Sequence, residues 1–258
     1  MKILFCGDVY GELGRKVLEE NLEQIRKDEK INVVIVNGEN ASHGKGITRK
    51  IYKQFMEMGV NVVTMGNHTF DNPQIKEFID EADKMCIPCN YPSNFPGKRY
   101  VTFKYNTKTI TVINMLGQVY MNSAMYPPVD TIDRILSEVK SDIIFVDFHA
   151  EATSEKISLG YYLDGRVTAV VGTHTHVPTC DDRVLPKGTA YQTDVGMIGA
   201  LDGVIGVNQE IGLYKFRTNM PTKFQPMEEG MKQFNALVID INDTTNKATA
   251  VKRINLKY

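Results

Sequence analysis

The sequence has few cysteines, no excess of charge of either sign and no long hydrophobic run. Its four cysteines, Cys6, Cys86, Cys89 and Cys180, are too few and too scattered for a disulfide framework in a chain of 258 residues. Cys86 and Cys89 have the spacing of a metal or redox pair, but no second pair accompanies them. We therefore interpret all four as ordinary reduced thiols.

No apolar stretch approaches the ~20 residues that a membrane-spanning helix needs. The first apolar run, "KILFC", reaches Gly7 and Asp8 after a few residues, which is too short for the apolar core of a signal peptide. Together with the reduced thiols, these absences predict a cytoplasmic protein without a membrane partner.

The charges are balanced, because 30 Lys and Arg residues face 31 Asp and Glu residues and leave a formal charge of -1. A neutral chain has no global positive field to hold long nucleic acid without sequence preference. A small anionic substrate is still compatible with this composition, because a local site can be positive in a neutral protein.

Short apolar runs alternate with amphipathic segments along most of the chain. This pattern is typical of a parallel α/β fold. Predicted helices cover residues 12–30, 48–58, 72–84, 130–140 and a segment from about 154. Two hairpins are predicted, one in "YVTFKYNTKTITVINML" and one formed by "NALVIDIN" and "ATAVKRINL". Because the sequence has no repeats and no low-complexity linker, we expect one mixed α/β domain over residues 1–258.

The segment "VVGTHTHVPT" places two of only five histidines, separated by one threonine, at the end of an apolar run. If the run is a strand that includes them, side chains two residues apart point to the same face. His174 and His176 would then reach one common target.

Polar residues end the other predicted strands as well. In open α/β sheets, ligands bind outside the carboxyl ends of the strands. The residues that follow or end these strands are Asp8, Glu39, Asn40, Asn67, His68, His149, His174 and His176. Each alone is more often a turn, a helix cap or a hydrogen-bonded structural residue. Together they are hard to explain in this way, since four of the five histidines would lie at strand ends by chance. The fifth, His43, is predicted to be a solvated loop residue.

Imidazole nitrogens mixed with carboxylate and amide oxygens suit Mn, Fe, Zn or Co better than Ca or an iron-sulfur cluster. These potential ligands outnumber the four of a structural zinc site and favour two ions. Such a pair needs a bridging carboxylate, and Glu39 is the natural candidate.

The ordered motifs resemble those of the calcineurin-like metallophosphoesterases, and more closely their YmdB-like branch. They are "GD" at 7–8, "NGEN" at 37–40, "GNH" at 66–68, "DFHAE" at 147–151 and "GTHTH" at 172–176. Most members of the superfamily open with Asp-x-His, whereas this chain has Asp8-Val9-Tyr10, and Glu39 stands where a bridging Asp is usual. Both departures are expected of the YmdB-like branch.

The resemblance implies a four-layer α-β-β-α sandwich of two mixed sheets flanked by helices. It also implies two divalent transition-metal ions, with iron or manganese favoured over zinc, cobalt or magnesium. The implied ligands of one ion are Asp8, Glu39, Asn40 and His176, and those of the other are Glu39, Asn67, His149 and His174. His68 is implied to stay off the metals and to face the substrate.

The expected reaction is hydrolysis of a phosphodiester by in-line attack of a metal-bridging hydroxide, since one bound zinc already lowers the pKa of water to about 7. His68 would be the general acid, a role worth roughly 10²- to 10⁴-fold in rate. The resemblance favours small cyclic nucleotides, 2',3'-cyclic nucleotide monophosphates above all, as substrates.

Two further segments are candidates for substrate or subunit contacts. "ATSEK" offers a helix start at which Thr153 or Ser154 would be the N-cap and Lys156 would add positive charge for an anionic substrate. An ordinary cap explains this segment equally well. The glycine-rich residues 188–206 either wall the cleft or form a contact within a homo-oligomer.

Two rival functions remain open from the sequence. The same metals in a different pocket would give a phosphomonoesterase acting on nucleotides or phosphoproteins. Alternatively, the site would sense a nucleotide in a regulatory module with little turnover, although a pure binding protein needs no general acid.

Overall fold

The computed structural model describes residues 1–121 and 125–258, and within them the chain forms fourteen strands and five α-helices. The strands are β1 (Lys2–Cys6), β2 (Asp8–Val9), β3 (Val33–Asn37), β4 (Val62–Thr64), β5 (Met85–Cys86), β6 (Tyr100–Tyr105), β7 (Lys108–Leu116), β8 (Ile143–His149), β9 (Ala169–Thr173), β10 (Arg183–Val184), β11 (Ala190–Gln192), β12 (Met197–Ala200), β13 (Lys232–Ile241) and β14 (Ala248–Lys257). The helices are α1 (Gly11–Glu29), α2 (Arg49–Glu57), α3 (Pro128–Glu138), α4 (Thr153–Leu163) and α5 (Gln209–Thr218).

The strands form two mixed sheets. The first has the order β2-β12-β13-β1-β3-β4-β5, and β14 pairs with β13. The second has the order β10-β11-β9-β8-β7-β6. β1, β3, β4 and β5 run parallel in the first sheet, and β7, β8, β9 and β11 run parallel in the second. The predicted strand-helix alternation therefore corresponds to parallel segments in both sheets.

Three apolar cores separate four layers. Between the sheets, side chains of β1 and β3 meet those of β7, β8 and β9, and the rings of Phe5 and Phe145 lie 5.0 Å apart. A second core joins the outer face of the first sheet to α1 and α2, and a third joins the second sheet to α3 and α4. This arrangement confirms the predicted α-β-β-α sandwich.

Most predicted elements lie where the sequence pattern placed them. In α1 the buried residues Leu18, Leu22 and Ile25 recur at helical spacing and pack on the first sheet. The Thr48 side chain accepts a hydrogen bond from the Ile51 backbone at the start of α2. Both predicted hairpins form, β6 with β7 and β13 with β14. All four cysteines are free.

The helix predicted for residues 72–84 is wrong. Two short 3-10 helices, Pro73–Glu77 and Ile79–Glu81, replace it. They are separated at Phe78, which has φ -144° and lies outside the helical region. The Phe78 ring is buried beside Tyr52, so tertiary packing of this aromatic side chain overrides the helical period of the segment.

Residues 201–230, which we call the arm, extend from the end of β12 to the start of β13 and contain α5. Isolated bridges join Val207 to Val204 and to Pro226, so the arm folds back on itself. None of the residues of α5 is buried. Throughout the described residues, no helix is long and apolar enough to cross a membrane.

The inter-sheet core predicts that alanine substitutions of two phenylalanines differ strongly in their effect on stability. Phe145 is fully buried between the sheets, whereas Phe216 on α5 is 87% exposed. Phe145→Ala should lower the free energy of unfolding by about 3–5 kcal/mol, and Phe216→Ala should change it by less than about 0.5 kcal/mol. Denaturant unfolding of both variants measures this. Equal losses would contradict the assigned core.

Candidate metal centre

The carboxyl ends of parallel strands from both sheets meet at one edge of the sandwich. Glu39 and Asn40 follow β3, and Asn67 and His68 follow β4 in the first sheet. In the second sheet His149 ends β8, and His174 and His176 follow β9. Asp8 lies in β2, immediately after β1. The structure therefore brings all the predicted strand-end residues to one place.

His149 is the centre of this cluster and is fully buried. Its Nε2 lies 3.0 Å from Glu39 Oε1, 2.9 Å from Asn67 Oδ1 and 3.0 Å from His174 Nδ1. Ligand atoms of Glu39, His149 and His174 all lie within 4.8 Å of one another, which is a separation that one metal ion could span. Asp8 Oδ1 is 3.9 Å from the other ring nitrogen of His149.

Opposite charges perturb the pKa values of this cluster strongly. Burial alone would raise the pKa of Glu39, but the charge of His149 and its hydrogen bond lower it to about 2. Burial alone would lower the pKa of His149, but Glu39, Asp8 and Asp147 raise it to about 9. Burial and the neighbouring His149 lower the pKa of His174 to about 3. In the metal-free chain, the proton of this cluster is therefore on His149 at neutral pH.

A second group lies beside the first and contains Asn40 and His176. His176 Nε2 is 3.3 Å from Asn40 Oδ1, and the Asn40 amide nitrogen donates to Gly44 O at 3.0 Å. His176 Nδ1 donates to Ile205 O in the arm at 2.8 Å, which leaves Nε2 as the nitrogen that faces Asn40. The Tyr10 ring packs edge-on against the His176 ring at 5.3 Å.

The segment "VVGTHTHVPT" predicts that His174 and His176 share one face of a strand, and this prediction is wrong. β9 ends at Thr173, and both histidines have left-handed backbone angles, with φ 106° and 65°. The turn directs His174 to His149 and His176 to Asn40. Asp194 holds the turn, because its carboxylate accepts the Thr175 backbone N-H at 3.1 Å.

A chain of buried hydrogen bonds, which we call the relay, joins Asp147, Thr173 and His149. It was not evident from the sequence. The Thr173 hydroxyl donates to Asp147 Oδ1 at 2.6 Å and lies 2.9 Å from His149 Nδ1, so it accepts the N-H of the ring. Asp147 is fully buried, and burial raises its pKa to about 6. The relay fixes His149 Nε2 toward Glu39, as outer hydrogen bonds commonly do for ligating histidines. Its only sequence signal is the Asp two residues before His149.

Two observations fit a cation in this cluster. Asp8 Oδ1 is buried and has no hydrogen-bond partner in the described part of the chain, which is costly for a carboxylate unless a cation meets it. A Cβ atom on Gly66 would lie 2.2 Å from Glu39 Oε2 and 2.6 Å from His149 Nε2. The glycine therefore keeps open the space that the carboxylate and imidazole surround.

His68 lies at the border between this cluster and the solvent. Its backbone N-H donates to Glu39 Oε2 at 2.9 Å, and its Nδ1 lies 2.8 Å from Asp71 Oδ2. Lys45 Nζ is 3.7 Å from the same Asp71 oxygen. The sequence did not single out Asp71, although it follows His68 by three residues and a turn would bring the two together.

The expected anion site at the start of α4 does not form as predicted. Ala152 is the N-cap, and neither Thr153 nor Ser154 makes a capping hydrogen bond. Lys156 is 1% exposed, and its Nζ donates to Thr173 O and to Asp194 Oδ2 at 2.7 Å each. Its charge therefore stabilises the support of the histidine turn, and this geometry does not favour a substrate contact.

A cleft of about 1650 Å³ opens beside the second group. On one side it is lined by His68, Asn40 and His176, and on the other by the arm. Val204 and Ile205, from the glycine-rich segment, contribute to its wall. This segment therefore walls the cleft, one of the two alternatives that the sequence left open.

Comparisons with known proteins agree with this architecture. The model of the YmdB-like protein family matches residues 4–254. Over 260 residues the chain is 46% identical to the 2',3'-cyclic-nucleotide 2'-phosphodiesterase of Bacillus subtilis (strain 168), covering 98% of this chain and 96% of that protein.

Two solved structures are similar to the chain, one with high and one with low sequence identity. A crystal structure of a novel phosphatase from Mycoplasma pneumoniae has a TM-score of 0.94 and 36% identity, over 100% of this chain and 93% of that one. The NAD nucleotidase of Haemophilus influenzae has a TM-score of 0.58 and 15% identity, over 99% of this chain and 55% of that one. The second likeness shows the fold alone.

The pKa values predict that metal uptake displaces a proton. At pH 7 the metal-free His149, with a pKa of about 9, is a cation, whereas His174, with a pKa of about 3, is a neutral imidazole and Glu39, with a pKa of about 2, is ionised. A ligating imidazole must lose its proton. Binding of Mn²⁺ should therefore release about one proton per chain from His149 at pH 7, and the affinity for Mn²⁺ should rise with pH up to about 9.

Titration calorimetry of the metal-free protein in two buffers of different ionisation enthalpy measures this release. His43→Gln is the control, since His43 is exposed and lies outside the cluster. A proton release that is the same at pH 7 and at pH 9.5 would contradict the assignment to His149.

Proposed function

Because the chain belongs to the YmdB-like protein family, we propose that it is a metal-dependent phosphodiesterase that hydrolyses small cyclic nucleotides, with 2',3'-cyclic nucleotide monophosphates as the favoured class. The observation that carries this proposal is the contact of the buried Glu39 and His149 with the half-buried His174 next to His68, at the edge of an open cleft. The name of the Bacillus subtilis relative supports the substrate class.

The ligand sets that we propose are those that the family resemblance implies. Asp8, Glu39, Asn40 and His176 would hold one divalent ion, and Glu39, Asn67, His149 and His174 would hold the other, with iron or manganese favoured. Such ions would supply an activated water and neutralise charge on the phosphoryl oxygens. The contact between His176 and Asn40, and that between His174 and His149, support this division of the histidines.

His68 is proposed as the general acid that protonates the leaving ribose oxygen. Its Nδ1 is occupied by Asp71, so the other ring nitrogen, Nε2, is the atom available to a substrate. Asp71 holds the ring in place for this role through the contact at Nδ1. The backbone N-H of His68 meanwhile holds Glu39 Oε2, so one residue both positions a ligand and faces the cleft.

A phosphomonoesterase is the second candidate, and the description of the Mycoplasma pneumoniae relative as a phosphatase favours it. Parallel assays with bis-p-nitrophenyl phosphate and p-nitrophenyl phosphate separate the two reactions. A higher kcat/KM for the monoester would overturn the proposed function.

Because Glu39 is proposed as a ligand of both ions, its substitution should reduce the occupancy of both sites. The wild-type chain should bind about two ions under metal-replete conditions. Because Glu39 would contact both, Glu39→Ala should reduce the content below about one ion, whereas the exposed Glu138→Ala on α3 should leave it unchanged. Metal analysis of the purified proteins measures this. One ion or fewer in the wild type would count heavily against the binuclear centre.

Alanine substitutions of the adjacent residues Asn67 and His68 should have different effects on metal binding and on kcat. His68→Ala should keep its metal and its stability while kcat falls by roughly 10²-fold or more. Asn67→Ala should first lose metal affinity, because its Oδ1 lies in the cluster. Metal content and kcat of both variants are the measurements, and metal loss in His68→Ala equal to that in Asn67→Ala would exclude the proposed role.

The leaving group provides a control for the same variants. An aryl phosphodiester departs with less protonation than a ribose oxygen, so the His68→Ala defect should be smaller on the aryl substrate. Asp71→Asn should show the same substrate dependence with a smaller defect, because it removes only the orienting carboxylate. Equal impairment of His68→Ala on both substrates would contradict general-acid catalysis.

A further inference from the structure

The cleft is larger than a mononucleotide site requires. Its volume of about 1650 Å³ exceeds the roughly 300–1,000 Å³ typical of small-molecule pockets. The residues that line it include Lys215, Phe216, Lys223 and Phe224 of the arm. The arm therefore offers a surface beside the place at which a phosphate would react.

This surface is locally positive although the chain as a whole is not. Between Glu210 and Glu228 the sequence contains Lys215, Arg217 and Lys223 and no acidic residue. Within residues 1–121 and 125–258, none of these three cations forms an ion pair, and Lys215 only donates a weak hydrogen bond to Asn219 O at 3.4 Å. Their charges are available to an anionic partner.

Aromatic side chains alternate with these cations and keep about half or more of their surface exposed. Phe216 is 87% exposed, Tyr214 is 51% exposed and Phe224 is 47% exposed. Ile211 packs against the small apolar cluster of Tyr10, Met197 and Val207, but no residue of α5 is fully buried, and this packing does not account for the exposed aromatic side chains of the helix. Exposed aromatic rings that alternate with cations are typical of surfaces that bind single-stranded nucleic acid, because bases stack on the rings while cations contact phosphates.

We propose that the arm binds the nucleotides of a short single-stranded RNA whose terminal 2',3'-cyclic phosphate enters the metal centre. This inference rests on the proposed function. A 2',3'-cyclic phosphate uses the two ring hydroxyls of the terminal ribose and leaves its 5' oxygen free, so the preceding nucleotides can extend along the cleft. Hydrolysis consumes one water: a P–O bond to water forms, one P–O bond to the ribose breaks, and the ribose oxygen takes the proton.

The charge distribution limits the path and the length of this RNA. Glu228 and Glu229 also line the cleft and would repel phosphates on their side. The strand should therefore follow Lys215 and Lys223, and these two cations suit about two phosphates. A protein with a formal charge of -1 still has no field for long nucleic acid, which restricts the partner to a short terminus.

The test compares an RNA hexamer ending in a 2',3'-cyclic phosphate with adenosine 2',3'-cyclic monophosphate, using the full-length metal-loaded protein. The hexamer should have a kcat/KM about tenfold higher, since each stacked base contributes measurable affinity. Phe216→Ala and the double variant Lys215→Ala/Lys223→Ala should remove this advantage. Their activity on the mononucleotide should stay within twofold of the wild type.

Matched controls are Tyr161→Ala, an exposed aromatic residue on α4, and Lys104→Ala, an exposed lysine on β6. Both should keep the preference for the hexamer. The advantage of the hexamer should also decrease with added salt, whereas the mononucleotide reaction should change less.

Three results would overturn the inference. They are equal kcat/KM for the two substrates, equal losses on both in the arm variants, and a change of oligomeric state in Phe216→Ala by sedimentation with the hexamer preference intact. The last result would assign the arm to a contact between copies of the chain. If neither substrate is hydrolysed, the proposed function itself fails, and the two failures are thus distinguished.

Discussion

The buried contact between Glu39 and His149 is the interaction on which the rest of the site depends. Glu39 follows a strand of the first sheet, and His149 ends a strand of the second, so their 3.0 Å contact joins the two halves of the sandwich at one edge. The apolar core between the sheets fixes the distance between these strand ends. A change in the packing of the sheets would therefore separate the carboxylate from the imidazole before it disturbed either alone.

The sequence predicted the strands and their polar ends well, because buried strands are marked by continuous β-branched runs that stop at the site. The prediction failed where tertiary contacts override the helical or alternating pattern of apolar residues in a segment. Phe78 interrupts a helical pattern in order to pack against Tyr52. His174 and His176 lie in a turn with positive φ, which an alternating pattern of polar and apolar residues cannot reveal.

Residues behind the site were harder to predict than residues in it. Lys156 looked like a surface cation after a helix start, yet it is buried against Asp194. Asp147 and Thr173 read as ordinary strand residues, although they orient His149. A single sequence carries no signal for such contacts, because each depends on which side chains from different strands meet. The same limit explains why Asp71 was missed beside His68.

The hydrogen bond from His176 to Ile205 O couples the His176 side of the cleft to the arm. It joins a proposed metal ligand to the backbone of the arm, so the orientation of the imidazole and the position of the arm are not independent. Binding free energies at two coupled sites are reciprocal. If the cation proposed at His176 also binds more tightly when this bond is formed, a ligand that favours the bond raises the affinity for the cation, and the cation raises the affinity for that ligand by the same factor.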